Sequence, residues 1–181
     1  MAHPGRFLQA LAGFLTVAIT AGSTNLSQIV LASQEPGWIF LDPSHALAFA
    51  AMFIVLLAET GRIPVDNPAT HLELTMIHEA MLLEYSGRYL AFIEWGASVK
   101  QLVLMALLAN IFFPAGLAAD TTPGAVGLGL VCFAAKLVLL AGAVVVVETT
   151  NAKLRLFRVP DLLSTAFILA TLGLVSTFLF R

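Results

Sequence analysis

Charge is scarce in this sequence. Only 11% of its 181 residues are charged and 59% are apolar, whereas a soluble domain carries about a quarter charged residues. That balance excludes an ordinary water-soluble domain and points to an integral membrane protein. Cysteine is nearly absent: Cys132 stands alone inside an apolar run, so an internal disulfide is excluded. With no cysteine cluster and no paired-histidine haem pattern, the chain is expected to bind no cofactor and no metal itself, and to carry no catalytic residue. A basic excess is also missing. A net charge of −2 leaves no electrostatic footprint for nucleic acid. No internal repeat, heptad or low-complexity region stands out. No A-x-A-like cleavage site follows MAHPGRF at a suitable distance, so the first apolar segment is expected to be a retained helix.

What is present is a set of long apolar runs. A bilayer core about 30 Å thick takes roughly 20 residues of helix. Five segments approach that length, at about residues 7–30, 39–58, 95–113, 124–147 and 162–180. The first is interrupted by Ser23, Thr24, Asn25, Ser27 and Gln28. It either ends near Ala21 or continues with a polar face turned to other helices. Pro36-Gly37 marks a turn before the second, and Trp38 suits the membrane interface. The expected fold is all-α: a polytopic membrane helix bundle of about five transmembrane helices plus a cytoplasmic amphipathic helix, forming one membrane domain over 1–181.

Orientation follows from the basic residues of the short loops. If the helices alternate, Arg6, Arg62, Arg88, Lys153, Arg155 and Arg158 share one side. The other side has Glu35, Asp42 and Asp120, with Arg181 at the C-terminus. The N-terminus and the loops at about 59–94 and 148–160 are therefore expected to face the cytoplasm, with the chain in the cell inner (plasma) membrane.

The stretch 59–100 departs from this greasy background. It contains nine of the chain's charged residues: Glu59, Arg62, Asp66, Glu73, Glu79, Glu84, Arg88, Glu94 and Lys100. Glu59 follows directly on an apolar run, at a membrane boundary. Arg62 is close enough to pair with Glu59 if the helix persists for another turn. Pro64 and Pro68 then stop a continuous helix. A helix is expected to resume near Thr70. Its spacing puts Glu73, Ile77, Ala80 and Glu84 on one face and His71, Thr75, His78 and Leu82 on another. Glu84 also reaches Arg88 at i+4. A lipid-binding surface helix would be basic; this one is acidic, which fits protein contact or a polar cavity better. Ser86-Gly87 should break it. Plain solvation of a charged loop is the competing reading. His71 and His78 share a face but lack the further ligands a metal site requires. Glu94 and Lys100 either pair with each other or snorkel.

Lys136 stands midway through the fourth segment, too deep for easy snorkelling. Such a residue is by default a functional candidate. A static ion pair with another helix and a place on a proton route both account for it. Glu148 is about three turns away on the same segment, too far for a direct pair.

The run Glu59-Thr-Gly-Arg62-Ile-Pro64-Val-Asp66, then Glu73-Leu and Glu84-Tyr85-Ser86-Gly87, resembles the membrane subunit that anchors the peripheral arm of respiratory complex I, the NADH dehydrogenase subunit 1 family. The fuller string DNPATHLELTMIHEAMLLEYSG and the loop ETTNAKLRLFRVPD look closer to the counterpart in membrane-bound group 4 NiFe hydrogenases of the hydrogenase-4 and formate hydrogenlyase types. The resemblance is good from about Ala46 onward and weak before it. It implies a helical bundle whose cytoplasmic loops receive an iron–sulfur subunit and a hydrogenase-like large subunit, beside antiporter-like membrane subunits. The partners would carry the iron–sulfur clusters and the NiFe centre; quinone is possible.

Carried over residue by residue, the resemblance makes Glu59, Arg62 and Asp66 the first docking and coupling candidates, with Glu73, Glu84 and Arg88 after them. Glu94, Lys136 and Glu148 are the proton-path candidates. The sequence is N-terminally short relative to the family. A separate polypeptide supplying the missing helices, a truncated copy, a fragment and a natural short form all fit that difference. The readings left open are a subunit of a hydrogenase- or complex-I-like redox complex, a quinone-site subunit, a stand-alone ion transporter and a structural remnant. Inverted repeats and broken helices, the marks of many transporters, are missing.

Overall fold

The computed structural model describes residues 14–19, 21–32, 43–63, 65, 86–114, 116, 122–151 and 159–179. Every regular element among the described residues is helical. After a helical stretch over 14–19 come α1 (Leu26–Ala32), α2 (Pro43–Glu59), α3 (Arg88–Phe112), α4 (Pro123–Thr150) and α5 (Val159–Leu179). Three helices are long and apolar enough to cross a membrane: Arg88–Phe112, Pro123–Thr150 and, within α5, Asp161–Leu179; α2 is a shorter apolar helix.

The polar interruption in the first apolar segment is a real break. Gly22 takes φ +69°, and the Ser23 and Ser27 hydroxyls and Asn25 side chain bond locally. Asn25 Oδ1 accepts from the Ser27 backbone N–H at 3.1 Å, a side-chain cap that starts α1. Short polar side chains that can bond their own backbone favour such an end over a continued helix.

α3 begins at Arg88, a full two turns before the apolar run at Trp95. Gly87, at φ +60°, is the break that Ser86-Gly87 announced. Beyond it nothing in Arg88–Glu94 opposes a helix, and two charges on an exposed helix do not interrupt it. The loop that the sequence places at 59–94 therefore stops at Gly87.

The packing is antiparallel. Phe112, at the end of α3, meets His45 near the start of α2, with ring centroids 5.9 Å apart. Phe49 meets Phe112 at 5.5 Å and Phe113 at 5.3 Å, both edge to face. At the other end, Lys100 of α3 meets Glu59 of α2. α2 also lies along α5. Ala166, Ala170 and Gly173 are buried at i, i+4 and i+7 of α5. A Cβ on Gly173 would stand 3.1 Å from the Ser44 carbonyl oxygen and 3.4 Å from the Ala48 backbone nitrogen. Small residues let two backbones approach closely where burial in lipid alone does not drive helix association.

The core joins Val17, Ile29, Ala48, Met52, Leu56, Met105, Leu108, Ile111, Phe112, Leu140 and Val144. Only Leu140 and Val144 of α4 are fully buried, while Leu128, Val138 and Leu139 are 67–74% exposed. An apolar outer face of this kind is what a helix presents to lipid or to a neighbouring transmembrane helix.

Candidate functional site

The ends of α2 and α4 and the middle of α3 meet at one level, and the charge is concentrated there. The geometry begins with how α2 stops. Gly61 takes φ +62°, a left-handed conformation that glycine adopts without steric cost. The Arg62 backbone N–H then donates to Leu57 O at 3.0 Å, six residues closing on one, which is the Schellman end of a helix. The Thr60 hydroxyl donates to Leu56 O at 2.7 Å and occupies another terminal carbonyl. The chain reverses, and the Val65 N–H returns to Arg62 O at 2.9 Å.

This turn corrects the expected Glu59–Arg62 pair. The helix does not persist for another turn, so Arg62 is thrown across α3 and away from Glu59. One guanidinium nitrogen donates to Gln101 Oε1 at 2.9 Å and another lies 3.4 Å from Glu148 Oε1. Glu59 instead meets Lys100: the ammonium donates to Glu59 Oε2 at 2.8 Å and to the Glu59 carbonyl oxygen at 3.0 Å. Lys100 is thus not Glu94's partner. Six residues apart on a helix, Glu94 and Lys100 point to different sides. The two contacts cross-tie three helices at one end, α2 to α3 through Glu59–Lys100 and α2 to α3 and α4 through Arg62.

The four tied side chains differ in exposure: 52% for Lys100, 37% for Arg62, 22% for Glu148 and 20% for Glu59. The carboxylates are the more sheltered members. An arginine donating to an amide and a carboxylate from fixed fork positions is a directional contact, unlike the ammonium point charge of Lys100. Chemically the arrangement sets two carboxylates against two cations at one end of the bundle.

The other sequence candidates divide into two groups. Asp66, Glu73 and Glu84 lie outside the described residues, as do His71, His78 and the amphipathic helix. Arg88 and Glu94 are exposed on the first half of α3, where the Arg88 guanidinium lies 5.2 Å from the Tyr89 ring centroid. Lys136 sits near the middle of α4, half-buried and distant from the cross-tie.

Gln101 is the member that sequence reasoning missed. Its signal was present: Lys100-Gln101 is a pair of adjacent long polar side chains in the mostly apolar α3 beyond Trp95. Among the described residues no group of three His, Cys, Asp or Glu side chains could hold a metal ion. A groove of about 550 Å³ lies between α1 and α3. Its walls are Leu26, Val30, Val103, Ala106 and Leu107, with Ser27 and Asn110 as the polar groups.

Comparison with known proteins gives a consistent result. The family described as NADH dehydrogenase matches residues 8–179. Formate hydrogenlyase subunit 4 of Escherichia coli K12 is 33% identical over 167 residues, covering 92% of this chain and 53% of that protein. Hydrogenase-4 component C of the same organism is 31% identical over 162 residues, covering 89% and 50%. An NADH-quinone oxidoreductase subunit of a Geobacillus strain, WCH70, is 37% identical over 120 residues, covering 64% and 34%. The chain spans about half the length of the two hydrogenase relatives.

Proposed function

This chain belongs to the NADH dehydrogenase family, and we therefore propose that it is a membrane subunit of a hydrogenase- or complex-I-like redox complex. In this reading it docks an iron–sulfur subunit and a hydrogenase-like large subunit. It also helps couple their electron transfer to translocation of protons or another cation, beside antiporter-like membrane subunits. The observation that carries it is the cross-tie of Glu59, Lys100, Arg62, Gln101 and Glu148, in a family member matched over nearly its whole length. A charged cluster held by three helices at a membrane boundary is where an electrostatic signal from a soluble module would enter a bundle.

The docking face is the cytoplasmic one, carrying Glu59, Arg62, Asp66, Glu73, Glu84 and Arg88. Electron arrival near it changes the local potential, and the carboxylates there respond by taking up or releasing protons. Glu94, Lys136 and Glu148 are the groups through which that proton shift travels onward. The bundle sits in the cell inner membrane, and the NiFe centre and iron–sulfur clusters belong to the partners.

The test uses the assembled complex in proteoliposomes. Glu59→Gln and Lys136→Met are each expected to lower ion movement per electron while turnover continues. Coupling unchanged by both substitutions would sink the proposal. A second reading, a quinone-site subunit, is favoured by the α1–α3 groove, whose apolar walls and two polar groups suit a lipid-like ring and tail. Quinone reduction by the purified complex, blocked by quinone-site inhibitors, would support it. Ion flux in liposomes holding this chain alone would instead favour a stand-alone transporter.

A further inference from the structure

Lys136 lies thirteen residues from Pro123 and fourteen from Thr150 in α4, about 20 Å from either end by helical rise. It shares the inward stripe of α4 with Leu140 and Val144, both buried in the core. Its stem therefore runs along the edge of the packed region. The described carboxylates all lie at helix ends or on the exposed half of α3. Glu59 is tied to Lys100 and Glu148 to Arg62. Asp161 opens α5, and Glu94 sits on the exposed half of α3. Glu148 is about 18 Å from Lys136 along the helix axis. Among the described residues, none forms an ion pair or hydrogen bond with the Lys136 ammonium. Beside Lys136, Leu128, Leu139 and Val146 form an exposed apolar strip, each 59–74% accessible.

Basic side chains at mid-membrane depth face a bundle interior or a wet cavity and pair with acidic groups or backbone carbonyls. Polar side chains in lipid are satisfied across helix–helix interfaces. A second copy of this chain offers no carboxylate at mid-height on its described helices. We infer that α4 is an interface for a transmembrane helix of a different membrane subunit, one that carries an Asp or Glu at mid-span and pairs with Lys136. The inference rests on reading the chain as one subunit of a larger complex. It fails separately from the coupling proposal, because its readout is a contact and not ion movement.

The test places a photo-crosslinking amino acid at Leu139 in the complex purified from its native membrane. The expected product joins α4 to a membrane-spanning peptide of another polypeptide with an acidic residue at mid-span. Lys136→Met should lower the yield of that product by on the order of tenfold. Lys136→Glu combined with the partner's acid changed to lysine should restore it, which separates a lost pair from a misfolded chain. Crosslinks only to lipid, to a second copy of this chain or to a segment without a mid-span acid would overturn the inference. So would an undiminished yield in Lys136→Met.

Discussion

Arg62 shows how one backbone dihedral decides the partner of a side chain. By sequence spacing it belongs to Glu59; by geometry it belongs to Gln101 and Glu148, because Gly61 turns the chain through a left-handed conformation first. Gly61→Ala should therefore do two things. It should cost about 1 kcal/mol in strain, and it should loosen Arg62. Arg62→Ala should cost about 1–2 kcal/mol, a charge-assisted hydrogen bond discounted for partial exposure. Arg62→Lys should recover less than half of that, since an ammonium cannot bridge amide and carboxylate from two nitrogens. Thermal unfolding of each variant in lipid nanodiscs measures these differences. Glu59, Arg62 and Glu148 were legible in the sequence as sites of charge against an apolar background. Their pairing was not, since it depends on the helix stopping at Glu59 instead of running on for the further turn that would bring Arg62 back over it.

At the scale of elements, apolar length identified α4 and α5 almost to their bounds. The same signal misplaced the start of α3, because hydrophobicity marks where lipid begins and a helix can begin earlier. The α2–α5 seam illustrates a feature that no charge or motif announces. Ala166, Ala170 and Gly173 look unremarkable in an alanine-rich chain, yet Gly173 faces the backbone of α2 so closely that even a Cβ would have to push it back by a few tenths of an ångström. Gly173→Ala should cost about 1 kcal/mol and Gly173→Leu about 3 kcal/mol, as overpacking forces the two helices apart. Crosslinking efficiency between cysteines placed at Leu47 and Leu172, compared across these variants, would register the separation.

At the scale of the whole molecule, the charged and aromatic contacts divide by end. The cross-tie closes the bundle where Glu59 and Glu148 lie, and His45, Phe49, Phe112 and Phe113 close it at the opposite end. Both sets act on α3, whose 25 residues extend past the cross-tie. From Lys100 to Arg88 the helix continues for about 18 Å, with Phe92 and Trp95 62% and 66% exposed. From Lys100 to Phe112 it runs the same distance in the other direction, with one side packed on the core through Met105, Leu108, Ile111 and Phe112. The contacts to α2 and α4 thus grip α3 at its midpoint, and among the described residues the two halves on either side have opposite surroundings, one exposed and one packed.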